Sequence, residues 1–186
     1  MTRKITHSFY QQDAETLARD LIGSVIVHRR RSRIYRARIV ETEAYMGPDD
    51  LASHSSKGRT KRTEVMFGPA GHAYVYLVYG MHLMFNIVAG VTGSGQAVLI
   101  RAAEPIDGWK ADLSGPGKLT RALGIARSMN GLDLTGSRLY LLRNSRYQPQ
   151  IRKAKRIGVD YAGEWQHKKL RFFDDSSAAV SHRPGT

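Results

Sequence analysis

The sequence predicts a single α+β domain in which helices flank a largely antiparallel β-sheet. Three observations point there. Short β-type runs predominate, and several of the connections between them are turn-sized. Two other segments place their apolar residues on a helical stripe. No internal repeat and no Pro/Gly/Ser-rich linker interrupts the 186 residues, so residues 1–186 read as one unit long enough to bury a sizeable core.

The first helix is expected over residues 13–21, where Ala14, Leu17, Ala18 and Leu21 share a stripe, Asp13 supplies a cap and Gly23 ends the segment. Residues 24–28 and 34–45 are strand-like and enclose the basic stretch Arg29-Arg30-Arg31-Ser32-Arg33, read as a polar hairpin connection. Residues 46–69 form a long polar segment that carries His54 and the basic group Lys57, Arg59, Lys61 and Arg62. Connections of that length inside a compact domain usually bind something. Two β-rich runs, 73–79 and 82–88, are joined near Gly80, and 96–103 makes a third. Gly115-Pro116-Gly117 then turns the chain into a second helix over 118–125, with Leu119, Ala122, Leu123 and Ile125 available to a core. Residues 138–143 and 152–159 add strand or loop rich in base, and 170–173 a last core strand. Residues 174–186 read as a peripheral tail, with Val180 as its one candidate strand contact.

Composition bounds the chemistry. The formal net charge is +13, a surplus that attracts polyanions, nucleic acid above all, with strongly salt-dependent binding. With no cysteine there is no disulfide, no thiolate zinc site and no thiol nucleophile. The seven histidines form no i, i+4 pair and no H-E-x-x-H string, so neither a metal nor another cofactor is expected. No run approaches the roughly 18 apolar residues of a membrane span, and the amino end has no signal-like core. A soluble cytoplasmic protein is expected, neither secreted nor membrane-bound.

Two constellations could carry chemistry. In Arg38-Ile39-Val40-Glu41-Thr42-Glu43-Ala44-Tyr45, period-two alternation puts Glu41, Glu43 and Tyr45 on the face of Ile39. Two carboxylates on such a face are either paired with nearby arginines or one of them is a general base that activates water. Spacing does not choose between these. The second constellation is Tyr74-Val75-Tyr76-Leu77-Val78-Tyr79-Gly80-Met81, inside a block from Glu64 to Glu104 that contains no acidic residue. Each tyrosine taken singly suits a core. Together with base they also suit a surface that stacks on a nucleobase or wedges open a base step.

Ordered strings then make a resemblance specific: residues 38–45, Ser53-His54-Ser55, Met66-Phe67-Gly68-Pro69, residues 74–82 with Asn86, Ile100-Arg101-Ala102 with Glu104-Pro105, Gly115-Pro116-Gly117-Lys118-Leu119 and Ala162-Gly163-Glu164-Trp165. From about residue 9 to residue 173 the chain resembles the 3-methyladenine DNA glycosylases of alkyladenine type. The resemblance implies a curved antiparallel sheet like the carboxy-terminal domain of methionyl-tRNA formyltransferase. It also implies a monofunctional, monomeric hydrolase that flips alkylated or deaminated purines, 3-methyladenine and hypoxanthine among them, out of double-stranded DNA and leaves an abasic site. In a bacterium such a protein would associate with the nucleoid.

Residue by residue, it makes Glu43 the general base and Glu41 structural. Arg101 helps place the attacking water, and the Val159 carbonyl is its third contact. Tyr45, His54 and Tyr76 wall the base pocket, with the His54 N–H reading the purine edge, and Asn86 collides with the 2-amino group of guanine. Tyr79, with Met81 beside it, enters the helix where the nucleotide left. Arg59, Arg62 and Lys118 face phosphates. Lys118 as a Schiff-base nucleophile would make a glycosylase/lyase instead, and the resemblance favours the simple hydrolase. After His54 the sequence departs from the family pattern, with Lys61 for a frequent proline and Thr63 for a frequent asparagine, which should loosen that loop. Two further readings fit the basic, tyrosine-rich surface: a non-catalytic nucleic-acid-binding module, and an RNA-side accessory domain suggested by the shared fold.

Overall fold

In the computed structural model, which describes residues 2–183, the β-type runs assemble into one open sheet of nine strands among the described residues. These are β1 (Thr2–Lys4), β2 (Val25–Arg30), β3 (Arg33–Tyr45), β4 (Ala73–Val78), β5 (His82–Ala89), β6 (Gln96–Pro105), β7 (Leu139–Asn144), β8 (Ile151–Ala154) and β9 (Arg171–Asp174). The order is β1-β7-β2-β3-β6-β5-β4, and β9 pairs with both β3 and β8. The pairings are antiparallel. Three helices accompany the sheet, α1 (His7–Tyr10), α2 (Ala14–Asp20) and α3 (Pro116–Leu123). Helix α2 begins where the Asp13 carboxylate accepts the N–H groups of Glu15 and Thr16, both at 3.0 Å. Helix α3 starts with Pro116 in its first turn and ends on Gly124, whose φ of +69° suits glycine.

The sheet has one face for stability and one for a site. Alternate residues of the central strands, Ala73 and Val75, Phe85 and Ile87, Val98 and Ile100, join Leu17, Leu21, Leu119 and Leu123 in the main core. The intervening residues Tyr74, Val88 and Ala97 pack on the opposite face with Met66, Phe67 and Tyr76. A third cluster there joins Ala52, Val159 and Ala162 to Tyr45 and Trp165.

Strand β3 corrects the sequence-based assignment of faces. Its pairing with β6 runs Ile39 to Ala103, Glu41 to Ala102 and Thr42 to Ile100, with irregularities on both sides of Glu41. Val40 on β3 and Arg101 on β6 are therefore the extra residues of two adjacent β-bulges. The bulge reverses the phase of β3. Ile39 and Ala44 belong to the helix-side core, and the Thr42 hydroxyl donates to the Ala18 carbonyl of α2 at 2.8 Å. Glu41, Glu43 and Tyr45 thus share a face, as expected, but it is opposite to that of Ile39. At the same point β3 exchanges one neighbour for another, since Arg33 to Arg38 pair with β2 and Glu41 to Glu43 with β9.

The segment 46–69 holds two 3₁₀ turns, His54–Lys57 and Glu64–Phe67. Residues 155–159 are loop, one of the two states expected for 152–159. One further expectation changes. The tail is not peripheral: Asp174 and Ser177 are buried, the Ser181 N–H donates to Glu41 Oε2 at 2.6 Å and Arg171 donates to the His182 carbonyl at 2.7 Å. Val180 forms no strand and packs on Ala154 and Phe173. Residues 184–186 lie outside the described residues.

Candidate active site

The site-bearing face carries an open cavity of about 460 Å³. Its walls include Tyr45 at the end of β3, His54 in the first 3₁₀ turn, Tyr74, Tyr76 and Asn86 on the β4–β5 hairpin, Arg101 at the bulge of β6, and Ile157, Gly158, Val159 and Tyr161 of the loop before β9. The register pairs Asn86 with Tyr74 and with Leu99, so the aromatic wall and the carboxamide are fixed by sheet geometry. Asn86 donates to the Tyr74 carbonyl at 3.2 Å.

Glu43 is completely buried, and the residues that hold it line the cavity. Its Oε1 accepts the Ile157 N–H at 2.8 Å, and its Oε2 accepts the Tyr45 hydroxyl at 2.9 Å. Arg101 Nη1 stands 3.3 Å from Glu43 Oε2, and Arg101 Nε stands 3.5 Å from Glu41 Oε1. Burial works against the Arg101 charge, but Glu43 and Glu41 outweigh it and raise its pKa. The Tyr45 phenol is pushed well up, first by burial and then by the Glu43 charge, so it remains a donor. Glu41 is equally buried on the same face, but its hydrogen bonds run to Arg171 and the tail rather than to the cavity walls. Arg171 donates to its Oε1 at 2.7 Å while Ser181 N–H donates to its Oε2.

The aromatic walls are themselves organised. The His54 ring lies 4.4 Å from the Tyr76 ring and is hydrogen-bonded through Nδ1 to the Tyr74 hydroxyl at 2.9 Å. Burial, and then Arg62, lower the His54 pKa and keep the ring neutral. Burial likewise raises the Tyr76 and Tyr74 phenols. As first residue of its 3₁₀ turn, His54 has a main-chain N–H without an intrahelical acceptor. The loop that follows is pinned despite Lys61 replacing proline: buried Thr63 donates to the Gly58 carbonyl at 2.8 Å and accepts the Thr60 N–H at 2.9 Å.

At the mouth, Tyr79 is 88% exposed and Met81 71% exposed, at the tip of the β4–β5 turn. Tyr79 has a φ of +50°, a conformation that costs a non-glycine residue roughly 1–3 kcal/mol. A large apolar side chain held outward at that cost is unlike core packing. A buried carboxylate with an arginine, behind neutral aromatic walls and an exposed tyrosine, can orient water beside a sugar whose base has been inserted between the rings.

Comparison with known proteins decides the family. The sequence pattern of methylpurine-DNA glycosylase (MPG) matches residues 8–178. The chain belongs to the methylpurine-DNA glycosylase family. It is thereby an enzyme of the class that hydrolyses N-glycosyl bonds. A protein from Anaeromyxobacter sp. (strain Fw109-5) is 49% identical over 98% of this chain and 94% of its own length. Proteins from Legionella pneumophila (strain Paris) and Myxococcus xanthus (strain DK1622) are each 46% identical, over 96% and 97% of this chain and 98% and 94% of their own lengths. All three are named, provisionally, 3-methyladenine DNA glycosylases.

Within this glycosylase fold, Arg101, Tyr45, His54, Tyr76, Asn86 and Val159 line the cavity, with Tyr79 on its rim, and Glu43 is buried behind them in contact with Tyr45, Arg101 and Ile157. The Val159 carbonyl already accepts the Ala162 N–H at 2.9 Å. Of the three cations expected to face phosphate, Arg62 lines the cavity 5.5 Å above the Tyr76 ring, and Arg59 sits over Phe67. Lys118 is instead engaged by Asp112 at 2.8 Å and by Ser114 at 3.3 Å, and it is not among the cavity residues. That geometry gives no support to Lys118 as a nucleophile. Sequence reasoning missed the Ile157 N–H, which no side-chain pattern advertises, and Tyr161, a cavity residue that is 72% exposed. It also passed over Arg156 and Asp50, both completely buried. The signal there was a charged pair in two otherwise ordinary loops.

Proposed function

We propose that this chain is a monofunctional DNA glycosylase that extrudes an alkylated purine such as 3-methyladenine from double-stranded DNA and hydrolyses its N-glycosidic bond, leaving an abasic site. The observation that carries the reading is Glu43, a fully buried carboxylate held by the Tyr45 hydroxyl, the Ile157 N–H and Arg101, three residues that themselves line a tyrosine-rich cavity. In this mechanism the C1′–N bond breaks with its electron pair moving to the purine. Water adds to C1′ and its proton passes to Glu43. The sugar becomes oxocarbenium-like on the way, and an adjacent carboxylate stabilises that charge while it orients the water.

A purine made cationic by alkylation needs no proton to leave, and it is attracted to the faces of Tyr45 and Tyr76 by cation–π interaction. Hypoxanthine, which is neutral, enters the same slot but requires protonation. Asn86, held by Tyr74, sets the discrimination against guanine. Tyr79 and Met81 occupy the space in the duplex vacated by the nucleotide, and Arg59 and Arg62 contact its phosphates. The working unit in this reading is a monomer. The test is release of free base from an alkylated duplex: Glu43→Gln should bind the duplex and release none, and wild-type protein that binds without releasing base would refute the reading.

A further inference from the structure

Behind the cavity wall lies an ion pair that the proposed chemistry does not use. Arg156 Nη1 and Nη2 donate to Asp50 Oδ2 and Oδ1 at 2.5 and 2.8 Å, and both side chains are completely buried. Arg156 does not line the cavity, yet its other contacts end on groups that shape it. Nη1 also donates to the carbonyl of Ala44, the residue before Tyr45, at 2.9 Å. The guanidinium sits 4.9 Å from the Tyr45 ring centroid. Nη2 reaches the Trp165 carbonyl at 3.3 Å. The next residue in the chain is Ile157, whose N–H holds Glu43. Asp50 in turn accepts the N–H groups of Met46 and Ala52, each at 3.0 Å, closing the turn that leads to His54.

Stability is a poor reason for such a pair, because a buried ion pair is often matched or bettered by apolar side chains of similar volume. Here Arg156 Nε is buried with no partner as well. What apolar replacements could not supply is a planar fork that fixes three chain segments at once. We propose that Asp50 and Arg156 form a positioning pair for excision, locking Tyr45, the 46–54 turn and the Ile157 amide in one register around Glu43. The inference rests on the reading of Glu43 as the group that activates water. Displacement of a reacting group by about 1 Å costs on the order of 100-fold in rate, so loss of the pair acts on chemistry more than on binding.

Asp50→Asn/Arg156→Met tests this, since it leaves no lone buried charge and keeps an oxygen acceptor at position 50. Four quantities are measured: the thermal midpoint, affinity for undamaged duplex, the single-turnover rate of 3-methyladenine release, and hydrogen exchange of the Ile157 amide by NMR. A midpoint within about 5 °C of wild type and affinity within about twofold are expected, with release slowed roughly 30-fold or more and Ile157 exchange clearly accelerated. Should the double variant not fold, Arg156→Lys, which keeps the charge but not the fork, is read for the same pattern. Release within about threefold of wild type, or rate, affinity and midpoint falling in proportion, overturns the proposal, and so does failure of both variants to fold. Wild-type protein that releases no base removes the Glu43 reading itself. Release that is lost in Glu43→Gln but kept in the pair variants removes only the positioning pair.

Discussion

Glu41 and Glu43 lie two residues apart on one face and are equally buried, so Glu41→Gln separates the structural carboxylate from the chemical one. Glu41 holds Arg171 at 2.7 Å and the Ser181 N–H at 2.6 Å, and approaches Arg101 at 3.5 Å. Breaking a buried pair by removing one charge costs about 3–5 kcal/mol. The lower end applies here, because Arg171 retains the carbonyls of Lys155 and His182, Arg101 retains Glu43, and a glutamine oxygen can still accept one N–H. A loss of about 3 kcal/mol in a chain of this length lowers the thermal midpoint by roughly 6–12 °C. Single-turnover base release, measured below that midpoint, should stay within about tenfold of wild type, since Glu41 reaches Glu43 only through Arg101. An unchanged midpoint together with a collapsed rate would transfer the chemistry to Glu41 and refute the assignment.

Tyr79→Gly relieves the positive φ and should stabilise the fold by about 1 kcal/mol, while lesion-specific retention weakens and salt-dependent binding to undamaged duplex persists. A fall in stability instead would make Tyr79 a packing residue. Arg62→Ala should reduce the slope of log affinity against log salt by about one, as for a lost phosphate contact, whereas Lys118→Ala, already neutralised by Asp112, should leave it almost unchanged. Equal slopes for the two variants would undo that distinction. Burial, reinforced by Arg138 and Arg30, lowers the pKa of His28, and burial with Arg62 lowers that of His54, both below the ordinary 6.5. The unfolded chain then binds more protons than the folded one below pH 6.5. The stability these residues contribute is fully present above that pH and is lost as pH falls below it, until the folded pKa is reached. Urea midpoints at pH 7.5 and 5.5 should differ accordingly, and less so in His28→Gln; an identical slope in that variant would contradict the assignment.

Much of the sheet was legible because its strands alternate. Tyr74 and Tyr76 were readable as sharing a face, and Asp13 caps its helix as its chemistry demands, whereas the second helix stops at Gly124, short of the Ile125 to which it was expected to run. The phase of β3 was not legible. The bulges at Val40 and Arg101 depend on how β3 and β6 meet, which the residues of one strand do not encode. The same bulges bring Arg101 between Glu41 and Glu43, and a sequence shows neither. The loop contributions were hidden for a related reason: the Ile157 N–H is a main-chain group, and its position depends on Arg156 meeting Asp50 from 106 residues away. The tail looked solvated because it is polar. Its polarity is spent inward, where Ser177 donates to Glu104 and Ser181 to Glu41. The choice of Glu43 over Glu41 came from the family resemblance; the two carboxylates share Arg101, and only Glu43 is hydrogen-bonded to Tyr45 and Ile157 of the cavity lining.

The most direct measurement of the central claim is single-turnover release of 3-methyladenine from a defined duplex by wild type and Glu43→Gln, with duplex affinity determined in parallel. Glu43→Gln keeps the shape of the side chain and one acceptor oxygen, so binding should remain within a few-fold. Its release rate should fall by at least about 1,000-fold, as expected when the group that takes the water proton and faces the sugar cation is neutralised. Release by Glu43→Gln at a rate near that of wild type, with binding intact, would contradict the assignment of Glu43 as the general base.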